Sequence, residues 1–341
     1  MCGRYASARK RIELLEEFRV ERDRVAESLQ PDYNVAPTKP VYAVLTRGAR
    51  SSETQPPGTP PAEAAQVPAA GTDGSPDGTV ATESGAARAA ADSQATPRSA
   101  AARPDAARSA APPSDVAREL RVVRWGLVPY WAKDPSIGSR LINARAETVH
   151  SKPAYRQAFK RRRCLLPADG YYEWQVPEGS AGGKGAAKQP YYIFRADGGP
   201  LAFAGLYERW RDPALPDDHE RAWLWTATII TTSAPDDLGQ IHDRMPMVIE
   251  PDRWQDWLDP AATDPADLMA LLAPAASGGL TSYPVSRAVN SVRNNGPELV
   301  ERVDPGLPGP DHGPGAPSVR SGRSRSAASQ GISGSAPDKL F

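Results

Sequence analysis

The chain has 341 residues with 41 basic and 41 acidic side chains, so its overall balance selects no class of charged partner. Two cysteines, Cys2 and Cys164, exclude a disulfide scaffold or a zinc ribbon and fit a reducing compartment. No apolar run approaches the roughly 20 residues of a membrane span and no signal-peptide core follows Met1, so a soluble, cytoplasmic protein is expected.

Residues 9–28 carry Ile12, Leu14, Leu15, Phe18 and Val25 at helical spacing and predict a helix. Pro31 to Thr38 reads as a turn-rich loop held by two prolines. Val41–Leu45 is a short strand. Residues 49–117 then change character. They are Ala, Pro, Ser, Gly and Thr with three valines and no Leu, Ile, Met or aromatic residue. Such a segment cannot bury enough apolar surface to offset its ordering entropy, which predicts disorder. It holds five arginines against eight carboxylates, a balance of −3. The rest of the chain is therefore +3, a mild basic bias toward a polyanion. Strand-like sequence on both sides, Val41–Leu45 and Leu120–Trp125, reads as a pair of hairpin arms. The segment is thus expected to be an insertion in a surface hairpin, since long loops close at little extra entropic cost.

Residues 118–176 contain Trp125-Gly-Leu-Val-Pro-Tyr-Trp131, then Asn143-Ala-Arg-Ala-Glu-Thr148, then a helix through Tyr155 and Phe159. Arg163-Cys-Leu-Leu-Pro167 and the aromatic strand Gly170–Trp174 follow. Residues 178–189 read as a flexible hairpin tip. Further strands are expected at 191–195, 201–206, 222–231, 248–249 and 282–285, with a short helix or turn over 236–242 and helices near 254–258 and 265–272. From about Pro305 the composition again predicts a disordered tail. Many short strands without a βαβ rhythm indicate an α+β, mainly β fold. The expected domain runs over 2–304, interrupted by 49–117, with 305–341 as the tail.

Cys2 is chemically distinctive. Once Met1 is removed, it carries an α-amine with a pKa of about 8 and a thiol of about 8.5 on adjacent carbons. Such an aminothiol condenses with an aldehyde to a Schiff base and then a five-membered thiazolidine, which an internal cysteine cannot do. Arg4 is a cation near this residue and is expected to favour thiolate. Glu173 lies between Tyr172 and Trp174, so strand alternation puts it on the face opposite both. It is either a solvent-facing carboxylate or an acid–base group in an apolar cleft. His242, between Ile241 and Met245-Pro246, is either structural or a donor to a developing oxyanion. Asn143 and Arg145 alternate, which puts an amide beside a guanidinium suited to phosphate. Trp125, Tyr130 and Trp131 are candidates for base stacking or for the core. No Gly-rich phosphate loop or metal-ligand cluster appears, and no cofactor or metal is expected.

Met1-Cys-Gly-Arg-Tyr5, Tyr33–Thr38, Trp125–Pro129, Ile142–Thr148, Arg163–Pro167, Gly170–Trp174 and His242–Pro246 occur in this order. This series closely resembles the SRAP family, the abasic-site processing proteins once called SOS-response-associated peptidases. The resemblance implies a single SRAP-type domain of short antiparallel strands around a barrel-like core with flanking helices. It implies binding to abasic sites in single-stranded DNA and at single-strand/double-strand junctions, as a monomer. It further implies a thiazolidine cross-link between Cys2 and the ring-opened sugar. On that resemblance Glu173 is the acid–base group, and Asn143 and His242 hold the sugar. Arg4, Arg145 and Arg244 contact phosphate, and Trp125 faces the DNA. Lys152 and Arg156 are alternative candidates for a further phosphate contact. Two other functions remain open at this point: a cysteine peptidase using Cys2 and His242, and a non-covalent binder of damaged DNA.

Overall fold

The computed structural model describes residues 2–48, 116–176, 188–216, 218–219, 221–272 and 279–304. The expected disorder of the insertion and of the 305–341 tail falls outside them, as does the hairpin tip up to residue 187. In chain order the strands are β1 (Tyr5–Ser7), β2 (Arg22–Asp23), β3 (Asp32–Val35), β4 (Pro40–Gly48), β5 (Val116–Trp125), β6 (Asn143–Arg145) and β7 (Arg163–Ala168). They continue with β8 (Gly170–Gln175), β9 (Gln189–Arg195), β10 (Leu201–Arg211), β11 (Trp223–Ser233), β12 (Arg244–Pro246) and β13 (Leu280–Pro284). The α-helices are short: α1 (Arg11–Glu17), α2 (Arg156–Arg161), α3 (Asp236–Gly239), α4 (Trp254–Leu258) and α5 (Pro265–Leu271).

Five strands close into a barrel. The ring runs β11-β10-β7-β4-β5 through antiparallel pairs and is completed by a parallel pairing of β5 with β11 at Thr226↔Arg124 and Ala227↔Trp125. Strand alternation explains its two apolar surfaces. Val41, Ala43 and Leu45 point inward with Val123, Trp125, Phe203 and Ile229. Tyr42, Val44, Leu120 and Leu165 point outward and are covered by Leu14 and Phe18 of α1, Phe159 of α2 and Trp254 and Trp257 of α4. A second sheet, β13-β9-β8-β1-β3, lies across the barrel. Its Tyr5, Val35, Tyr171 and Ile193 join the barrel interior in one buried cluster with Cys2. Its other face carries Tyr172, Tyr192 and Phe194 against Val285, Val289 and Leu299.

The α+β, mainly β expectation holds, and so does the hairpin. β4 and β5 pair from Pro40↔Arg124 to Gly48↔Val116, so strand structure resumes at Val116, one residue before the expected end of the insertion at residue 117. Three local expectations change. The helix expected over 9–28 stops at Glu17, and Arg19 takes a left-handed φ of 50°. Arg22–Asp23 then pairs parallel with β5 as a strand. Phe18 and Val25 are still buried, because the apolar spacing reports burial and not helix length. The loop expected at 31–38 contains β3, which pairs with β1. Gln189, assigned to the hairpin tip, is the first residue of β9.

Candidate active site

The site forms where the second sheet meets the barrel. Cys2 precedes β1 and is fully buried. Its carbonyl accepts from Asn143 Nδ2 at 2.7 Å, and its thiol points to the Arg4 carbonyl at 3.9 Å. Burial pushes the thiol well above its ordinary pKa, and the negative charge of Glu173 raises it further. The expectation that Arg4 favours thiolate is therefore corrected. Arg4 lies one residue out of phase with Tyr5 and turns to the opposite sheet face. There its Nη1 donates to Asn34 Oδ1 at 2.7 Å and to the Val289 carbonyl at 2.8 Å, and its guanidinium lies 5.9 Å from the Trp174 ring centre. It ties the N-terminal strand to the chain's later segment and does not face the thiol.

Glu173 sits on β8 two residues after Tyr171 and so shares its inward face. It is 3% exposed. Desolvation pushes its pKa up to about 7, while the positive charge of Lys188 pulls the other way. A carboxyl that titrates near neutrality can both give and take a proton. Asp243 and Lys188 act on both Glu173 and His242, so the carboxyl and the imidazole belong to one electrostatic neighbourhood.

Asn143 opens β6 and is held against Ile229 of β11, while its carbonyl accepts from the Tyr155 hydroxyl at 3.1 Å. Its Oδ1 is buried without a hydrogen-bond partner among the described residues. His242 follows α3. Its Nδ1 accepts the Arg244 backbone N–H at 3.0 Å and also lies 2.8 Å from Asp243 Oδ1. One ring nitrogen cannot accept from an amide and donate to a carboxylate together. Burial, its largest influence, depresses the imidazole pKa. The neutral ring with Nδ1 accepting is thus the favoured form, and Nε2–H is its donor.

The expected DNA contacts separate into three cases. Arg145, two residues from Asn143, is exposed, and Lys152 and Arg156 are exposed as well. Arg244 is largely covered. Its guanidinium bonds Glu147 at 2.5 and 3.1 Å and the Thr231 carbonyl at 2.7 Å, so phosphate would compete with a carboxylate already in place. Trp125 is corrected outright. As an inward residue of β5 it is fully buried, with Nε1 bonded to the Ile142 carbonyl at 2.9 Å and its ring 5.2 Å from Tyr5. The aromatic surface of that segment is Trp131, which is 49% exposed. Gly126 makes the turn between them. It has φ +123°, and a Cβ there would meet the Gly138 carbonyl oxygen at 2.6 Å.

Sequence reasoning did not single out Lys188, Tyr5 or Tyr171. Lys188 was hidden in a Gly/Ala/Lys-rich stretch, and the tyrosines sit within motifs read for their neighbours. Among the described residues no three His, Cys, Asp or Glu side chains are grouped to hold a metal ion, and no helix is long and apolar enough to cross a membrane.

The fold and site define a barrel protein whose second residue is enclosed, with its carbonyl bonded by an amide and its thiol under the influence of a buried carboxyl. Residues 1–292 match the family described as SOS response associated peptidase (SRAP), and the chain belongs to that family. It is 43% identical over 179 residues to abasic site processing protein YoqW of Bacillus subtilis, covering 52% of this chain and 75% of that one. It is 35% identical over 214 residues to abasic site processing protein HMCES of Gallus gallus (56% and 60%). It is 32% identical over 182 residues to abasic site processing protein YedK of Escherichia coli (53% and 74%). A crystal structure of a Bordetella bronchiseptica protein shares the fold, with a TM-score of 0.51 and 21% identity over 84% of this chain and 100% of that one.

Proposed function

We propose that this protein processes abasic sites in DNA by covalent capture through Cys2. The observation that carries this reading is the contact of Cys2 with Asn143, next to a buried Glu173 whose proton is exchangeable near pH 7. The relatives named above are abasic site processing proteins.

An abasic sugar is mostly a closed hemiacetal. Opening it needs a proton moved from the C1′ hydroxyl and one delivered to the ring oxygen, and Glu173 is suited to both. Removal of Met1 frees the Cys2 amine, which attacks C1′. Water leaves, and an imine remains. An imine left alone invites β-elimination and strand breakage, which is lyase chemistry. Attack by the neighbouring thiol diverts it into a thiazolidine. Asn143 and His242 Nε2–H hold the sugar oxygens during these steps. Arg145, Lys152 and Arg156 offer exposed cations to the phosphates, and Trp131 offers a ring to an unpaired base. The partner is single-stranded DNA or a single-strand/double-strand junction, bound by a monomer in the cytoplasm, at the nucleoid.

The peptidase alternative needs a thiol paired with an imidazole. Among the described residues the Cys2 thiol bonds the Arg4 carbonyl, and no histidine is among the influences on its pKa. Covalent capture is tested by intact mass spectrometry after incubation with uracil-glycosylase-treated single-stranded DNA. The expected species has lost Met1 and gained one oligonucleotide less one water. Cys2→Ala should form no heat-stable adduct while keeping most of its DNA affinity. An adduct in that variant overturns the assignment.

A further inference from the structure

The buried cluster that holds Cys2 also contains two tyrosine hydroxyls that no step above uses. Tyr5 of β1 pairs directly opposite Tyr171 of β8, so the two side chains lie side by side on one sheet face. That face carries Glu173 two residues further along β8. Both tyrosines are 0% exposed and belong to the same buried cluster as Cys2. Their rings pack on Phe203 at 5.8 and 6.1 Å. Neither hydroxyl has a hydrogen-bond partner among the described residues.

That is unusual, because a buried tyrosine hydroxyl normally finds a partner. In this chain Tyr155, Tyr172 and Tyr283 each donate to a carbonyl, and Tyr42 accepts a backbone N–H. A phenylalanine at position 5 or 171 would fill the same space without leaving a polar atom unmet. Two such hydroxyls side by side in the cluster of the reactive residue point to a state of the site in which they are used. The charge that most affects both phenols is that of the Cys2 sulfur, and burial holds both well above the ordinary tyrosine range, so they stay protonated as donors.

We propose that Tyr5 and Tyr171 are positioning residues whose hydroxyls donate to the Cys2 sulfur when it becomes a thiolate. The inference rests on Cys2 being the nucleophile. In ring closure the thiol proton passes to the Glu173 carboxylate. The sulfur electron pair forms the S–C1′ bond, the C=N π pair of the protonated imine moves to nitrogen, and a neutral amine results. A thiolate in an apolar pocket is strongly disfavoured, and charge-assisted hydrogen bonds from two fixed donors offset that cost without giving up a proton. Attack of the amine on C1′ precedes any charge on sulfur and should not need them.

The test uses Tyr5→Phe, Tyr171→Phe and the double variant, each with Met1 removed. Alkylation of Cys2 by iodoacetamide, followed against pH in DNA-free protein and resolved from Cys164 by peptide mass, should show a midpoint raised by about one unit or more in the double variant, or about tenfold less thiolate at a given pH below it. Each single variant should fall between. With abasic single-stranded DNA, the borohydride-trapped imine should form at the wild-type rate while the thiazolidine forms about tenfold more slowly. Thermal midpoints should be unchanged or raised, because the lost hydroxyls were unsatisfied. An unchanged alkylation midpoint in the double variant overturns the proposal. A shifted midpoint with no DNA adduct even in the wild type upholds the tyrosine cradle and overturns covalent capture instead.

Discussion

Glu173 is a buried carboxyl that the fold accommodates more readily protonated. Its folded pKa of about 7 lies above the ordinary 4.5. Its contribution to stability is therefore complete below about pH 4.5 and is lost as pH rises through 7. Glu173→Gln should raise the urea-unfolding free energy by about 2 kcal/mol at pH 8.5 and leave it nearly unchanged at pH 4. An equal gain at both pH values would exclude ionisation as the cause. Arg244 is the other residue whose expected role depends on a carboxylate. Its hydrogen bond lowers the Glu147 pKa from the ordinary value, so the pair is charged at neutral pH. Glu147→Ala should free the guanidinium and tighten single-stranded DNA binding about threefold at low salt, with a steeper salt dependence. A fluorescence-anisotropy titration at two salt concentrations reads both. Weaker binding would mean that Glu147 serves to aim Arg244. Residue types were legible in the sequence here and their directions less so. Glu173 follows β8 alternation as expected, whereas Arg4 and Trp125 were placed by motif. The pairing of β1 with β8 and the closure of β5 on β11 turn one outward and the other inward.

Elements in this protein are short, and side chains that reach across them hold them in place. Arg163 begins β7, is nearly buried, and donates to five carbonyls, those of Phe159, Lys160, Trp257, Asp259 and Ala262. One guanidinium thereby closes the C-terminal end of α2 and the turn after α4, where the backbone has used up its own donors. Arg163→Met should lower stability by about 3 kcal/mol, because buried carbonyls are left unmet. Arg163→Lys should recover little, since one ammonium cannot span that fan of acceptors. Chemical denaturation of both variants measures this, and a lysine variant of wild-type stability would assign the effect to charge alone. Asn34 does similar work on the other side. Its Nδ2 donates to the carbonyls of Val289, Ser291 and Asn294, and its Oδ1 accepts from Arg4. The sequence showed Arg163 and Asn34 within motifs but without most of their acceptors, because backbone carbonyls 94 to 260 positions away leave no pattern in composition or spacing. The failed extension of the first helix has the same origin. Helical spacing from Leu14 to Val25 is satisfied by a short helix, a left-handed turn at Arg19 and a strand docked on β5.

At the scale of the molecule, the barrel needs β4 and β5 as neighbours but not the chain between them. The two strands pair in unbroken antiparallel register out to Gly48↔Val116, so the chain leaves and re-enters the barrel at adjacent points. β4 also pairs with β7, and β5 closes the ring on β11, which fixes this hairpin from both sides independently of its connection. Loop-closure entropy changes only with the logarithm of loop length. Replacing residues 50–114 by a short Asn-Gly turn should therefore leave the barrel intact, shift the thermal midpoint by no more than a few degrees, and move it upward if at all. Cys2 and Glu173 lie on the second sheet's side of the barrel, so the shortened protein should retain any cross-link to abasic DNA that the full chain forms. Melting followed by circular dichroism and an adduct gel measure the two outcomes separately. Loss of the cooperative transition would show that the intervening segment is part of the folded unit. A normal melt with the adduct lost would assign that segment a part in binding DNA.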